Sequence, residues 1–597
     1  MTATHPAPVL VSPGRLRTFE PSRLNALTPE FKRVLRRIQG KKQSEIVSHL
    51  EAVAQALLSE GLEGVDAHAL RVSLLVLRDY VLAGYYPVVS GETCYLASVV
   101  APEALTADQL REALRRRYEA ARTRALRDRK QVAWMRNALV LLRGAIITPH
   151  LVIDALEQGP PRVALVEARE ARSGLDARTL WRCVRSTWSM TPEASAPGRE
   201  VALVALDQRF PGVPLGILQF RNVVPEISAR DEWLGVSAEG FINNVSSSPN
   251  LIKSRSRKTL DVLERLLRNV NRDGIQVPFV ESSIPQLGEL VSFHRRQFNL
   301  TRSTEGAALK NRHLRVVKRA QTAQELLRGI RVLQLLSDGS TAPRDLKEED
   351  LRDLNAGLTK LWHYHMGFVA LEMSICGAAP PFGPLRMGKL MAALAASNVV
   401  RDKWGRDRPL GQIAQEVYLP DVRREVPNPG PLVVFTSGLY PGHSAQYNRV
   451  EAAGLRWKKI GETTGFGNFN VSVETAEAAK ALNRSIDGYD HITKAFGEGS
   501  GARFRLVGRA LSYLGLPDLR RHETKRPLYA LPLVKNCREA LLGWENPEPV
   551  ANIEPQNIAN AWWTRWVEPA PRDIFNSARA SCDLEATLAG ILSEAIR

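Results

Sequence analysis

Apolar residues near the start of the chain recur every three or four positions, which is the spacing of one face of an α-helix. Thr28-Pro29 opens the first such stripe and Gly40 follows its last apolar residue, so that both ends carry helix-boundary residues. A second stripe runs from Ile46 to Leu57, and a third begins at Thr106. The pattern predicts a helical region over the first 175 residues.

The pattern changes at about residue 200. Two continuous apolar runs, at residues 201–206 and 215–220, flank the turn Pro211-Gly212, as in two buried strands of a hairpin. Further strands are predicted over residues 366–376, 432–436, 455–460 and 469–473, and helices over residues 255–272, 322–336 and 390–400. Thr322 and Glu325 have the spacing of a capping box at the start of the second of these helices.

These elements predict a mixed α/β sheet core with a helical N-terminal region, inserted helices and a helical C-terminal tail. Between residues 366 and 473 the order strand, loop, helix, strand, helix, hairpin resembles the layout of the Gcn5-related acyltransferases. The predicted domains are 1–175, helical; 176–516, the α/β core with a helical insertion at about 240–360; and 517–597, a helical extension that is rich in proline, arginine and tryptophan.

Composition is typical of a packed protein and excludes a disordered or disulfide-stapled chain. Of 597 residues, 44% are hydrophobic and 24% charged, and Lys plus Arg exceed Asp plus Glu by 81 to 63, a net charge of +18. The five cysteines have no paired spacing, and no apolar run is long enough to span a bilayer. We therefore expect a cytoplasmic protein with acidic partners and no membrane contact.

The basic residues are concentrated in segments. Clustered Lys and Arg side chains can neutralise successive phosphates of nucleic acid, although a charged run can also be a solvated helix face. The candidate nucleic-acid contacts are Arg115, Arg116 and Arg117 in the third helix; Lys253, Arg255, Arg257 and Lys258, which are predicted to precede a helix; and Arg312, Arg315, Lys318 and Arg319. No helix-turn-helix, zinc-finger or RNA-recognition signature indicates how they would bind.

Several segments between about residues 200 and 540 resemble, in the same order, a bacterial family of the Druantia anti-phage defence system, the DruA family. They are Leu215–Phe220 with Arg230–Gly235, Gly383–Leu390, Thr436–Arg449, Gly461–Gly467 and Phe496–Ser500. The resemblance implies a component of an anti-phage module that acts with partner proteins, among them a helicase-like protein. It implies no particular chemistry.

The loop before the helix at 390–400 is a candidate phosphate site. A helix N-terminus attracts anions through its free N–H groups and its dipole, and Arg386, Gly388 and Lys389 lie at this position. In the Gcn5-related layout the corresponding helix holds the pyrophosphate of coenzyme A. The strict glycine signature of those enzymes is absent here, so a fold used only for binding is favoured over an acyltransferase.

Candidate catalytic residues are Asp231, Glu372, His443 and Glu498. The three carboxylates could hold two Mg²⁺ ions for strand cleavage if they converge. A turn residue paired with the adjacent Arg230 is favoured for Asp231, and Glu498, between two glycines, could instead cap a loop. His443 is followed by Ser444, but neighbouring side chains diverge, and a helix start capped by Ser444 is the alternative. His363 and His365 would share a face in a strand, yet no third ligand accompanies them, and no metal site is predicted.

The resemblance implies an anti-phage defence component that acts with helicase-like partners, and the basic helices predict that it binds or senses nucleic acid. An acyl-CoA-dependent acyltransferase and a metal-dependent nuclease remain the alternatives. Neither coenzyme A nor Mg²⁺ is favoured as a cofactor.

Overall fold

A computed structural model describes much of the chain. The described residues are 17–41, 43–59, 64–82, 85–90, 93–98, 149–168, 171–172, 175–186, 200–210, 212–245, 248–301, 303–405, 410–426, 428–438, 446–447, 449–452, 454–463, 471–488, 500–520, 526–550 and 553–582.

Helices are numbered in chain order through the described residues. They are α1 (Thr28–Ile38), α2 (Gln43–Ser59), α3 (Val65–Leu82), α4 (Pro149–Gln158), α5 (Ala177–Ser186), α6 (Ser228–Leu234), α7 (Ala238–Val245), α8 (Pro249–Arg268), α9 (Ile284–Leu300), α10 (Ser303–Asp338), α11 (Glu348–Val369), α12 (Met387–Leu394), α13 (Asn398–Trp404), α14 (Gln412–Val417), α15 (Val422–Glu425), α16 (Val473–Asp487), α17 (Ser500–Tyr513), α18 (Cys537–Leu541) and α19 (Pro555–Trp562). A π-helix, Trp563–Val567, continues α19 directly.

Strands are numbered in the same way. They are β1 (Arg17–Phe19), β2 (Tyr85–Ser90), β3 (Thr93–Ser98), β4 (Val163–Glu167), β5 (Ala171–Arg172), β6 (Leu175–Asp176), β7 (Glu200–Asp207), β8 (Pro214–Asn222), β9 (Ala370–Ala378), β10 (Val433–Ser437), β11 (Glu451–Ala452), β12 (Leu455–Arg456), β13 (Lys458–Glu462) and β14 (Pro527–Pro532). The predicted hairpin at 201–206 and 215–220 is β7 and β8, and the predicted strand at 432–436 is β10.

A seven-stranded mixed sheet organises the molecule, with the strand order β13-β14-β10-β9-β8-β7-β4. Neighbouring strands are antiparallel except for β9 and β10, which run parallel, with Val434 opposite Leu371. Since α12 follows β9 in the chain, its N-terminus lies just beyond the carboxyl end of one of these two parallel strands. The sheet therefore positions the predicted phosphate site.

Both faces of the sheet are covered, which explains why its strands are written as continuous apolar runs. Val434 packs into one core, with α4, α5, α12, α13 and α19. Val433 and Phe435, its neighbours on β10, pack into a second core formed with α8, α9, α10 and α11. In that second layer α10 and α11 approach closely at Gly329 and Gly357, where a Cβ on Gly329 would lie 2.6 Å from the Gly357 Cα.

A third core joins the N-terminal helices to α16 and α17, which follow them by almost 400 residues. Arg78, with 1% of its side chain exposed, connects the two parts. Its guanidinium pairs with Asp79 at 2.8 Å and also with Glu474 of α16, while the backbone N–H of Ser472 donates to Asp79 at 2.8 Å. The predicted domain boundaries at 175 and 516 stay predictions.

Several predicted elements are wrong in extent. Thr322 does not cap a helix, because it lies inside the 36-residue α10. The segment predicted as a strand at 469–473 contains Ser472, which caps α16 by accepting from the Thr475 N–H. The helix predicted at 390–400 is two helices, since Ser397 caps the new helix α13. Residues 366–369 of the strand predicted at 366–376 belong to α11.

Among the residues that the structure describes, no helix is both long enough and apolar enough to cross a lipid bilayer.

Candidate functional site

The predicted phosphate site lies at the start of α12. After β9 the chain makes a short 3-10 turn, Gly383–Leu385, and Arg386 then takes a left-handed conformation with φ of 57°. Met387 and Leu390 are fully buried and hold the first turn of α12 against the sheet. Arg386, Gly388 and Lys389 are thereby fixed around this helix start, with Arg386 exposed.

The C-terminal π-helix packs against this helix start. The Arg386 Nη1 donates to the Trp566 carbonyl oxygen at 3.1 Å, and the Trp562 indole N–H donates to the Arg386 carbonyl oxygen at 3.2 Å. The Lys389 Nζ lies 4.3 Å from the centre of the Trp566 ring, within the range of a cation–π interaction. Residues 517–597 are rich in tryptophan, but nothing in the sequence predicted that these tryptophans contact residues 386–389.

Positive charge is crowded at this place. Burial, together with the charges of Arg386, Arg449 and Arg565, lowers the pKa of Lys389 to about 8. The Arg565 guanidinium also lies over the Trp566 ring, at 5.4 Å, and 3.9 Å from a Glu451 oxygen. Like charges held together in this way repel each other, so a bound anion would stabilise the cluster. We call Arg386, Lys389, Arg449 and Arg565 the α12 cation cluster.

Gln446 and Tyr447 lie beside β9, beyond its last pairing with β10. The Gln446 side-chain amide donates to the Cys376 carbonyl oxygen at 2.9 Å and contacts the Cys376 sulfur at the same distance. The Tyr447 side chain is buried, packs against the rings of Trp457 and Tyr529, and lies 3.4 Å from the Thr436 hydroxyl. Since Gln446 contacts β9 and Tyr447 contacts β10, these two residues lie between the ends of the two strands, beyond their last pairing.

Cys376, which Gln446 contacts, lies beside this space. Burial raises the pKa of its thiol to about 12, and the Gln446 and Tyr447 contacts oppose this only in part. A protonated, enclosed thiol is a poor nucleophile. Of the neighbouring polar segment, His443 and Ser444 lie outside the described residues, so the predicted role of His443 stays a prediction.

Asp231 is held by the arginine that precedes it. The Arg230 guanidinium contacts an Asp231 oxygen at 2.6 Å, and the other oxygen accepts from the Ile227 N–H at 3.1 Å. Arg230 is 1% exposed, donates to the carbonyl oxygen of Pro225 and lies 4.8 Å from the Trp362 ring. The predicted ion pair is confirmed, although it lies in α6 rather than in a turn. Burial raises the pKa of the Asp231 carboxyl, against the effect of Arg230.

Glu372 faces the helical layer from β9. Its Oε1 accepts from Arg221, on the paired strand β8, at 3.3 Å, and its Oε2 is buried with no hydrogen-bond partner. The charge of Glu372 also acts on Arg230, so the two predicted carboxylates lie near the same buried guanidinium. Each is paired with an arginine. Glu498 lies outside the described residues.

His363 and His365 lie in the helix α11, so the strand geometry considered for them is wrong. Two positions apart, helical side chains diverge by about 200°. Burial is the first cause that lowers the pKa of each imidazole, to about 4. In the described part of the chain, no three His, Cys, Asp or Glu side chains are grouped so that they could hold a metal ion.

The basic residues at 253–258 lie within α8 instead of preceding it. The Arg255 Nη1 donates to the Asn244 carbonyl oxygen at 2.6 Å and its guanidinium lies 4.4 Å from the Trp544 ring. Lys258 donates to the Trp544 carbonyl oxygen at 2.6 Å. Of the other two candidates in this group, Arg257 pairs with Asp261 at 3.3 Å and Lys253 packs beneath Gly339. Half of this group therefore has a structural role.

The third basic segment lies on α10, beside α9. Arg312 is exposed, and Arg315 pairs with Glu416 at 3.0 Å. Arg319 is 8% exposed and donates to the carbonyl oxygens of Glu416 and Asp273, so its role is structural. Burial lowers the pKa of Lys318, and nearby Lys360 and Arg295 add to this effect. Arg115, Arg116 and Arg117 lie outside the described residues.

The comparisons with known proteins agree with these motifs. Residues 358–543 match the family model described as Druantia protein DruA. We call these residues the DruA-family segment, after the model that they match. A protein described as Druantia protein DruA from Escherichia coli (strain UMEA 4076-1) is 28% identical to the chain over 211 residues, which are 34% of this chain and 49% of that protein. The chain thus matches about half the length of this relative, and no solved structure matches.

The DruA-family segment begins inside α11 and ends just after α18. It contains β9, α12, β10 and β14, and with them Arg386, Lys389 and Arg449. The predicted resemblance is confirmed from residue 358 onward. The helices α8, α9 and α10, which carry the basic residues, precede the segment.

Proposed function

We propose that the chain is a DruA-type component of Druantia anti-phage defence that binds nucleic acid through a basic face of its helical layer and acts with helicase-like partner proteins. The family assignment of residues 358–543 supports the role in defence. The net charge of +18 supports an acidic partner. The geometry of α9 and α10 supports nucleic acid as that partner.

One observation carries the nucleic-acid assignment. The antiparallel pair α9 and α10 has exposed Arg295, Arg296 and Arg312 on its outer side. Residues 290–324 contain a single acidic residue, Glu305, against eight Lys or Arg. We call residues 290–319 of this pair the basic hairpin. A surface on which arginines far outnumber carboxylates is the arrangement that phosphate backbones bind.

The test is a set of fluorescence-anisotropy titrations of the full chain with a labelled oligonucleotide at several salt concentrations. We expect binding that weakens steeply with salt, and Arg296→Ala with Arg312→Ala should reduce the slope of log Kd against log salt by about 0.7 to 0.9 per removed contact. Arg344→Ala with Arg352→Ala is the control, because it removes the same charge from exposed positions. Arg344 follows the far end of α10, which lies about 40 Å from Arg312 along the helix axis. Equal effects of the two pairs would contradict the assignment, as would a wild-type chain that does not bind at low salt.

A second candidate function is the binding of a phosphate-bearing ligand at the α12 cation cluster. The four cations grouped at the start of α12 support it, with Lys389 partly buried among them. We expect Arg386→Ala with Lys389→Ala to abolish phage protection at unchanged expression, and Lys535→Ala, an exposed lysine elsewhere in the same segment, to leave it intact. A plaque assay compares them, and full protection by the double variant would overturn the ligand site.

An acyltransferase and a nuclease are less well supported. The strand order and the parallel pair β9 and β10 favour a Gcn5-like layout, but Gln446 and Tyr447 occupy the space between those strands. The carboxylates of Asp231 and Glu372 are each engaged by an arginine instead of facing one another across a shared cation site. We propose binding, without a catalytic step, as the role of this core.

A further inference from the structure

The basic hairpin carries aromatic rings among its cations. The Phe293 ring, on α9, contacts the His294 ring edge to face, with centres 5.2 Å apart. The His294 ring contacts the His313 ring of α10, with centres 5.0 Å apart and the two Nδ1 atoms at 2.8 Å. Three rings therefore form a continuous line that crosses from one helix to the other. We call Phe293, His294 and His313 the ring line.

This line is open to solvent on its outer side. Phe293 is 47% exposed, and the two histidines are partly exposed. A phenylalanine exposed to this extent costs hydrophobic free energy in the free protein, and an exposed apolar patch with a polar rim typically marks a binding surface. Burial of His294 beside His313 and Arg312 lowers the pKa of His294, which favours a neutral imidazole with a flat, stackable face.

Cations surround the line on both helices. Arg296 follows Phe293 by three positions, so both lie on the same side of α9. Arg312 precedes His313 on α10, and its charge contributes to the lowered pKa of His294 on α9. The spacing of rings between arginines is the pattern of proteins that stack bases while they hold the phosphates. A duplex keeps its bases stacked inside and offers no free base face to such rings.

We propose that the ring line is a stacking platform for the bases of a single-stranded nucleic acid, whose phosphates are held by Arg296 and Arg312. This inference rests on the proposed function and names its substrate class. It assigns an energetic role to Phe293, which carries no charge and which a purely electrostatic interface would not use. The role of Phe293 therefore distinguishes a base-stacking surface from a basic surface that binds any nucleic acid through its phosphates alone.

The experiment compares a labelled 20-nucleotide single strand with a duplex of the same sequence, at one salt concentration, by anisotropy with the full chain. Phe293→Ala should weaken binding of the single strand by about fivefold to a hundredfold, the loss expected when one stacked base is released. Binding of the duplex should stay within twofold. Phe293→Trp should keep the affinity for the single strand, because a larger ring still stacks.

Leu300→Ala is the matched control. Leu300 lies on the same side of α9, is 74% exposed and is apolar without a ring. Loss of affinity in Phe293→Ala but not in Leu300→Ala supports the platform, provided that both variants keep the wild-type melting temperature. Equal affinities of wild type and Phe293→Ala for the single strand would overturn it, as would tight binding of the duplex alone. A wild-type chain that binds neither probe would instead overturn the proposed function itself.

Discussion

The Arg386 guanidinium donates to the carbonyl oxygen of Trp566, 180 residues further along the chain, at 3.1 Å. The contact brings the C-terminal π-helix onto the start of α12, within the sheet core. Trp566 lies outside the DruA-family segment, whereas Arg386 lies inside it. Residues beyond the end of the DruA-family segment therefore contact the cations at the start of α12. Single-turn π-helical features occur frequently at functional sites, and this one covers the α12 cation cluster.

Removal of the Trp566 ring should change the proton affinity of Lys389. Burial is the largest cause of its lowered pKa of about 8, so Trp566→Ala should raise that pKa toward the ordinary lysine value of about 10.5. The pH profile of reductive methylation at Lys389, followed by mass spectrometry, measures the change. Trp563→Ala is the control, because the Trp563 indole contacts the Leu156 carbonyl oxygen instead. An unchanged Lys389 profile in Trp566→Ala would contradict the assigned cause.

Much of the sheet could be predicted from the sequence, because burial on both faces produces continuous apolar runs. The strands β7, β8 and β10 were found in this way. The strand at 366–376 was placed too early, since Met366 to Val369 are apolar both as the end of α11 and as the start of a strand. Local pattern cannot separate the two when both elements enter the same core.

The candidate site was predictable only in part. Arg386, Gly388 and Lys389 are adjacent in the sequence, and a glycine-rich loop before a helix marked them. Trp566 and Arg565 lie at the site because of tertiary packing, and local sequence spacing cannot predict a contact between segments so far apart in the chain. The roles of Arg255 and Arg319 were missed for the same reason, because their carbonyl partners, Asn244 and Glu416, lie on other elements.

Coenzyme A should not stabilise the protein. A ligand at a hundredfold excess over its dissociation constant stabilises the folded state by about 2.7 kcal/mol, which a thermal-shift assay detects. Because Gln446 and Tyr447 fill the space between β9 and β10, we expect no shift in Tm with acetyl-CoA. Gln446→Ala tests the cause, since it removes the contacts with Cys376. A clear stabilisation of the wild type by acetyl-CoA would restore the acyltransferase alternative.

Asp231→Ala should destabilise the protein through the charge that it leaves behind. Arg230 is almost fully buried, and loss of its carboxylate partner leaves a cation that keeps only main-chain hydrogen bonds and the more distant charge of Glu372. We expect a loss of about 3 kcal/mol in the free energy of unfolding, the lower end of the cost of breaking a buried ion pair. Asp261→Ala, which removes the exposed partner of Arg257, should change it by less than about 0.5 kcal/mol. Urea titrations of the two variants measure the free energies of unfolding. Equal losses would show that the buried Arg230 charge does not need Asp231 for stability.

Acid should weaken the helical layer through His365. The residue is 5% exposed, and burial lowers the pKa of its imidazole to about 4 in the folded protein, against about 6.5 in an unfolded chain. Between these values the unfolded state binds the proton and the folded state does not. The free energy of unfolding therefore falls as the pH drops below about 6.5, by about 2 kcal/mol at pH 5, and the fall levels off below pH 4.

The variant His365→Gln separates this effect from other titrations, because glutamine does not titrate in this range. Urea unfolding at pH 7 and pH 5, followed by near-UV circular dichroism, should show a smaller loss of stability in His365→Gln than in the wild type, by about 2 kcal/mol. Parallel pH profiles of the two proteins would mean that His365 already accepts a proton in the folded state. The Nδ1 of His365 is buried with no hydrogen-bond partner, which is the arrangement that disfavours the charged ring.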